Sequence, residues 1–143
     1  MYKTILSLGL IASTTLAQSV SIGLPTAGAQ LYTSTNATFQ IQRPDSLTGS
    51  EEIAVVIGIN KCGSGATCSS PEESMGTVLY NGPFDPQFHE TYLPPYQNFT
   101  LEIPEGVAAE NGIVTVAHFS LVGASTYPLV EYHNQTVTIA ESD

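Results

Sequence analysis

Three histidines, two cysteines and thirteen Asp or Glu residues are the side chains of this 143-residue chain best suited to acid–base or metal chemistry. Their spacing decides whether they do any. His89 adjoins Glu90, but no His-Glu-x-x-His follows, so the zinc-hydrolase pattern is absent. His118 lies in Val116-Ala-His-Phe-Ser120 and shares parity with Val114, Val116 and Val122, which reads as a hydrogen-bonded histidine of a sheet surface or core. His133 precedes the triplet Asn134-Gln-Thr136 and is expected to be exposed. Glu51-Glu52 and Glu72-Glu73 are adjacent pairs, and neighbours on a strand point to opposite sides, so neither is expected to work as a glycosidase pair. Gly63-Ser64-Gly65 is half a nucleophile elbow and is not completed. No phosphate loop or cofactor fingerprint occurs. The expectation is a protein that is not an enzyme and takes no metal or cofactor.

One segment is conspicuous for binding. Between Met75 and Tyr96 stand Tyr80, Phe84, Phe88, Tyr92 and Tyr96, interleaved with Pro83, Pro86, Pro94 and Pro95. Rings on a proline-stiffened connection lose little entropy when they bind. Tyr80, Phe84, Phe88, His89, Tyr92 and Tyr96 are the candidate partner-binding residues. The nearby Glu72, Glu73, Asp85 and Glu90 would favour a basic partner surface. A sugar-stacking platform is the alternative, although the chain has no Trp. Rings that simply pack on the edge of their own core would look the same in sequence.

The elements that must carry these residues read as strands. Apolar and polar residues alternate over 19–24, 35–43 and 96–103, 52–59 is a nearly continuous β-branched run, and 129–139 is the last strand. Residues 76–80 and 113–122 complete seven strands separated by Gly or Pro. No window carries a 3.6-residue apolar stripe. All nine prolines fall at or beyond predicted strand ends. The fold expected is all-β, an immunoglobulin-like antiparallel sandwich in the broad sense, without the Trp and inter-sheet Cys pair of antibody domains.

Composition sets the compartment. Thirteen acids against three Lys or Arg give a net charge of −10, which all but excludes nucleic acid and anionic membrane surfaces as partners. Met1-Tyr-Lys3, the apolar run from Ile5 to Ala12 and the site Thr15-Leu16-Ala17 read as a signal peptide over 1–17. The expected secreted domain spans 18–143, and loss of Lys3 takes its charge from −10 to −11. Its first residue would be Gln18 or Ser19, not the His of an N-terminal copper clasp. Asn36, Asn98 and Asn134 each head an Asn-x-Thr triplet and are the candidate glycosylation sites. Cys62 and Cys68, separated by five residues in an oxidising compartment, most simply close a small disulfide loop.

The stretch from Val116 to Ile139, with its Gly123-Ala-Ser125 turn and the final Asn134-Gln-Thr-Val-Thr138, resembles the ending of the fungal necrosis-inducing secreted protein 1 (Nis1) family. Gly76-Thr-Val-Leu-Tyr-Asn-Gly82 and the Asn98-Phe-Thr-Leu101 strand are similar too. The resemblance implies a small secreted effector of plant-associated fungi. It further implies binding to host immune receptor-associated kinases and suppression of plant defence. The Cys62–Cys68 insert and the proline–aromatic segment depart from the family pattern, and no catalytic residues carry over.

Overall fold

The computed structural model describes residues 19–45, 48–63, 65 and 67–143. The expected signal peptide and Ser64 lie outside the described residues. Among the described residues eight strands form: β1 (Ser21–Leu24), β2 (Ala29–Tyr32), β3 (Asn36–Gln42), β4 (Ser50–Lys61), β5 (Thr77–Pro83), β6 (Tyr96–Glu102), β7 (Ala109–Val122) and β8 (Tyr127–Ala140). They make a three-stranded sheet in the order β1-β3-β6 and a five-stranded sheet in the order β2-β8-β7-β4-β5. No helix long and apolar enough to cross a membrane occurs among the described residues.

The all-β sandwich is therefore the observed architecture, with two departures from the sequence reading. β2 is an eighth strand, four residues that pair in parallel with the end of β8, from Ala29 opposite Val137 to Tyr32 opposite Ala140. Four residues cannot display an alternation, and only its pairing with a distant strand makes it one. Pro128 lies inside β8, opposite Leu121 near the hairpin end, whereas the sequence places the strand's start one residue later.

Alternation builds the core. Phe39 and Ile41 of β3 and Phe99 of β6 face Val55, Ile57 and Ile59 of β4 and Val114 and Val116 of β7, all buried. Ile103, Val107, Val137 and Ile139 close one end and Val20 and Phe84 lie in the same cluster. At roughly 1.5–3 kcal/mol for each fully buried apolar side chain, this double layer is the main source of stability.

Two bulges redirect side chains. In β4 the register with β7 shifts between Glu52 and Ala54, so Glu52 lies opposite Ser120 while Ala54 lies opposite Phe119. The extra residue, Ile53, turns Glu52 to the core face although it shares parity with outward Ala54. A second shift, opposite Ile57 and Gly58, places Tyr80 of β5 beside Ile57. Its ring then packs on Phe99 of the other sheet, centroids 4.6 Å apart.

The Cys62–Cys68 disulfide is formed, with Cα atoms 4.4 Å apart. Cys62 donates its amide to the Asn111 carbonyl at 2.9 Å, which ties the loop to β7. The chain then folds back over the outer face of the five-stranded sheet. There the Met75 carbonyl accepts a hydrogen bond from Thr115 Oγ1 at 2.8 Å. Gly58 makes room for this crossing, since a Cβ there would strike the same carbonyl.

Candidate functional site, an aromatic loop rooted on a buried ion cluster

The 84–95 connection between β5 and β6 divides the six sequence-predicted residues into two groups. Phe84 is 2% exposed and Tyr96 7% exposed, and Tyr80 is half-buried against the core, so these three are structural. Phe88, at 61% exposure, and Tyr92, at 80%, stand out in solvent, and His89 is also exposed.

The loop between these groups is tied down. Gln87 and Tyr96 exchange both backbone hydrogen bonds, at 3.1 and 2.9 Å. The Asp85 amide donates to Gln97 Oε1 and Gln87 Nε2 donates to Asp85 Oδ1, at 2.8 and 2.7 Å. His89 stacks on Tyr96 with centroids 4.3 Å apart, and the Tyr96 hydroxyl donates to Glu90 at 3.0 Å. The Arg43 amide donates to the Pro95 carbonyl at 2.8 Å, pinning the loop's far end to the segment after β3. Arg43 Nε and Glu90 Oε2 are buried without a hydrogen-bond partner.

Beneath the root of the loop lies a cluster that sequence reasoning found only in part. His118, 1% exposed, sits between two carboxylates: Nε2 meets Glu52 at 2.5 Å and Nδ1 meets Glu131 at 2.9 Å. Phe84 packs edge-on against the imidazole, centroids 5.4 Å apart. Ser50 donates to the other oxygen of Glu52 at 2.5 Å, and the Val20 amide donates to Glu131 at 3.2 Å. The sequence reads His118 as a hydrogen-bonded histidine of a sheet surface or core; the structure places it in the core and supplies its two partners.

Each of the three groups is shifted toward its charged form by the other members of the cluster. Burial would lower the His118 pKa, but the hydrogen bonds to Glu131 and Glu52 outweigh it and raise the value, favouring imidazolium. Burial would raise both carboxylates, but His118 and their other donors hold each below its ordinary value. Burial lowers the neighbouring His133, whose Nε2 lies 3.3 Å from Ser19 Oγ; half-buried, it is less exposed than the sequence implied.

Both ring nitrogens of His118 are engaged by carboxylates, so neither is free to take a proton from a serine hydroxyl. Among the described residues no group of three His, Cys, Asp or Glu has a geometry that could hold a metal ion. Glu51 and Glu52 point apart, one exposed and one in the cluster.

A family model of the Nis1 family matches residues 15–138. The chain belongs to the Nis1 family. The matched range spans the 62–68 disulfide loop and the proline–aromatic segment. No curated protein matches the chain at a significant level. Among solved structures, it is similar to fusolin from Wiseana spp entomopoxvirus spindles, at 11% identity and a TM-score of 0.49. The similarity covers 82% of this chain and 44% of the fusolin chain, so this protein spans less than half of that one's length.

Proposed function

We propose that this Nis1 protein is a secreted, effector-like interaction protein that binds a host protein through the tip of its 84–95 loop and catalyses nothing. Secretion is supported by the family and by the disulfide, which belongs in an oxidising compartment. The observation that carries the binding reading is the pair Phe88 and Tyr92, 61% and 80% exposed on a loop that hydrogen bonds and stacking hold at both sides. Large rings on a preorganised scaffold are the usual anchors of protein interfaces. The exposed Glu72, Glu73 and Asp85 favour a partner with a basic face. By family resemblance the partners are host immune receptor-associated kinases.

A pull-down tests this directly. Immobilised protein is offered ectodomains and cytosolic domains of plant receptor-associated kinases, beside insoluble chitin and glucan. Capture of a kinase domain, lost in Phe88→Ala/Tyr92→Ala, is the expected result. Retention on polysaccharide instead, abolished by Tyr92→Ala, would replace it with the sugar-platform reading.

A further inference from the structure

The outer face of the five-stranded sheet is half covered. Toward one end Ile113 is buried and Thr115 carries the Met75 crossing. Beyond that end the face is open and apolar across three strands. The register aligns Val56 with Ala117 and Tyr132, and Ala54 with Phe119 and Val130. Tyr132 and Val130 are 43% and 53% exposed. Contiguous exposed apolar surface of this kind is a common place for something to cover.

Asn134 stands at the boundary of the two halves. It lies opposite Thr115, is exposed, and shares its face with Tyr132 two residues before and with Thr136, the triplet's hydroxyl, two residues after. Two residues along a strand span about 6.8 Å, the reach of one hexose on an asparagine side chain. The Met75 crossing lies over Gly58 and Thr115, on the side of β7 away from β8, and leaves the exposed outer face between Asn134 and Tyr132 open to a substituent. The apolar face of a sugar ring stacks on aromatic rings. Asn36 and Asn98 differ: both lie on the outer face of the three-stranded sheet, where Glu102 and Gln40 are their register partners.

We propose that Asn134 carries an N-linked glycan whose first sugar lies on Tyr132 and covers the open apolar half of this face. In the transfer, the Asn134 amide nitrogen attacks C1 of a polyisoprenyl-diphosphate-linked oligosaccharide. The N–C1 bond forms as the bond to the diphosphate breaks, the diphosphate leaves with the electron pair, and the amide gives up one proton to the transferase. The inference rests on the secreted reading above. It assigns that glycan a structural task and leaves the 84–95 loop free for a partner.

The test expresses the full chain in a eukaryotic secretory host, maps sugar at the three triplets, and measures binding of an anilinonaphthalene sulfonate dye. Asn134 is expected to be occupied. Dye fluorescence should stay low after endoglycosidase trimming to a single sugar and rise several-fold in Asn134→Gln, with no rise in Asn36→Gln or Asn98→Gln. Tyr132→Ser should abolish the gain in thermal midpoint that the sugar confers. A secreted chain bare at Asn134, or equal dye binding with and without the sugar, overturns the proposal and leaves secretion standing. New capture of a protein by Asn134→Gln would also overturn it, showing a protein-docking face. Retention in the cell with residues 1–17 uncleaved overturns both readings.

Discussion

His118 shows how much one side chain can depend on residues far away in sequence. Its partners Glu52 and Glu131 lie 66 and 13 residues away. Parity alone misplaces Glu52, because the bulge at Ile53 reverses which side of β4 it faces. The valine neighbours of His118 leave a sheet surface and the core equally open, and the structure places it in the core at 1% exposure. Replacing His118 with Leu leaves two carboxylates without their cation. Chemical denaturation should show a loss of about 3 kcal/mol or more, the cost of breaking a buried ion pair from one side.

The same residues set a pH window. His118 has a raised folded pKa, so its stabilisation is complete below the ordinary histidine value of 6.5 and is lost as pH rises through the folded value. Glu52 and Glu131 are depressed, so theirs is complete above 4.5 and is lost as pH falls through their folded values. His133, depressed and opposite in sign to His118, loses its contribution as pH falls below 6.5 and trims the acidic side. Arg43 adds a favourable charge to Glu52. The thermal midpoint should therefore be highest in mildly acidic buffer, and His118→Leu should flatten its alkaline decline.

At the scale of elements, the legible parts were those with a local period. The alternation over 35–43 and 96–103 located β3 and β6 to within a residue or two of their observed ends. β2 escaped because a four-residue parallel strand carries its signal in its neighbour, β8. The aromatic segment was legible as a binding candidate, but sequence could not sort its rings. Burial of Phe84 follows from His118 and the core, and exposure of Tyr92 from a loop closed at Gln87 and Tyr96. The disulfide closes a small loop beside this framework and is not its foundation. Cys62→Ser/Cys68→Ser should stay folded and lose about 2 kcal/mol, a fall of roughly 8 °C in thermal midpoint by calorimetry.

At the scale of the whole molecule, the charge of −10 reads differently once the ion cluster is placed. Three of the few titratable groups that hold the core together sit at His118, and the remaining acids are mostly on the surface, repelling one another. Added salt screens that repulsion within about 10 Å at 0.1 M. Raising sodium chloride from low to moderate concentration should raise the thermal midpoint by a few degrees while slowing association with a basic partner in stopped-flow mixing.

On the proposed function, a stiff loop presents Phe88 and Tyr92 to a host protein. Isothermal titration of the captured kinase domain with wild type and with Phe88→Ala/Tyr92→Ala measures it most directly. Loss of two anchoring rings should weaken binding by about 2 kcal/mol or more, roughly thirty-fold, with the fold and thermal midpoint unchanged. Equal affinity for both proteins would mean that the two rings do not anchor the partner.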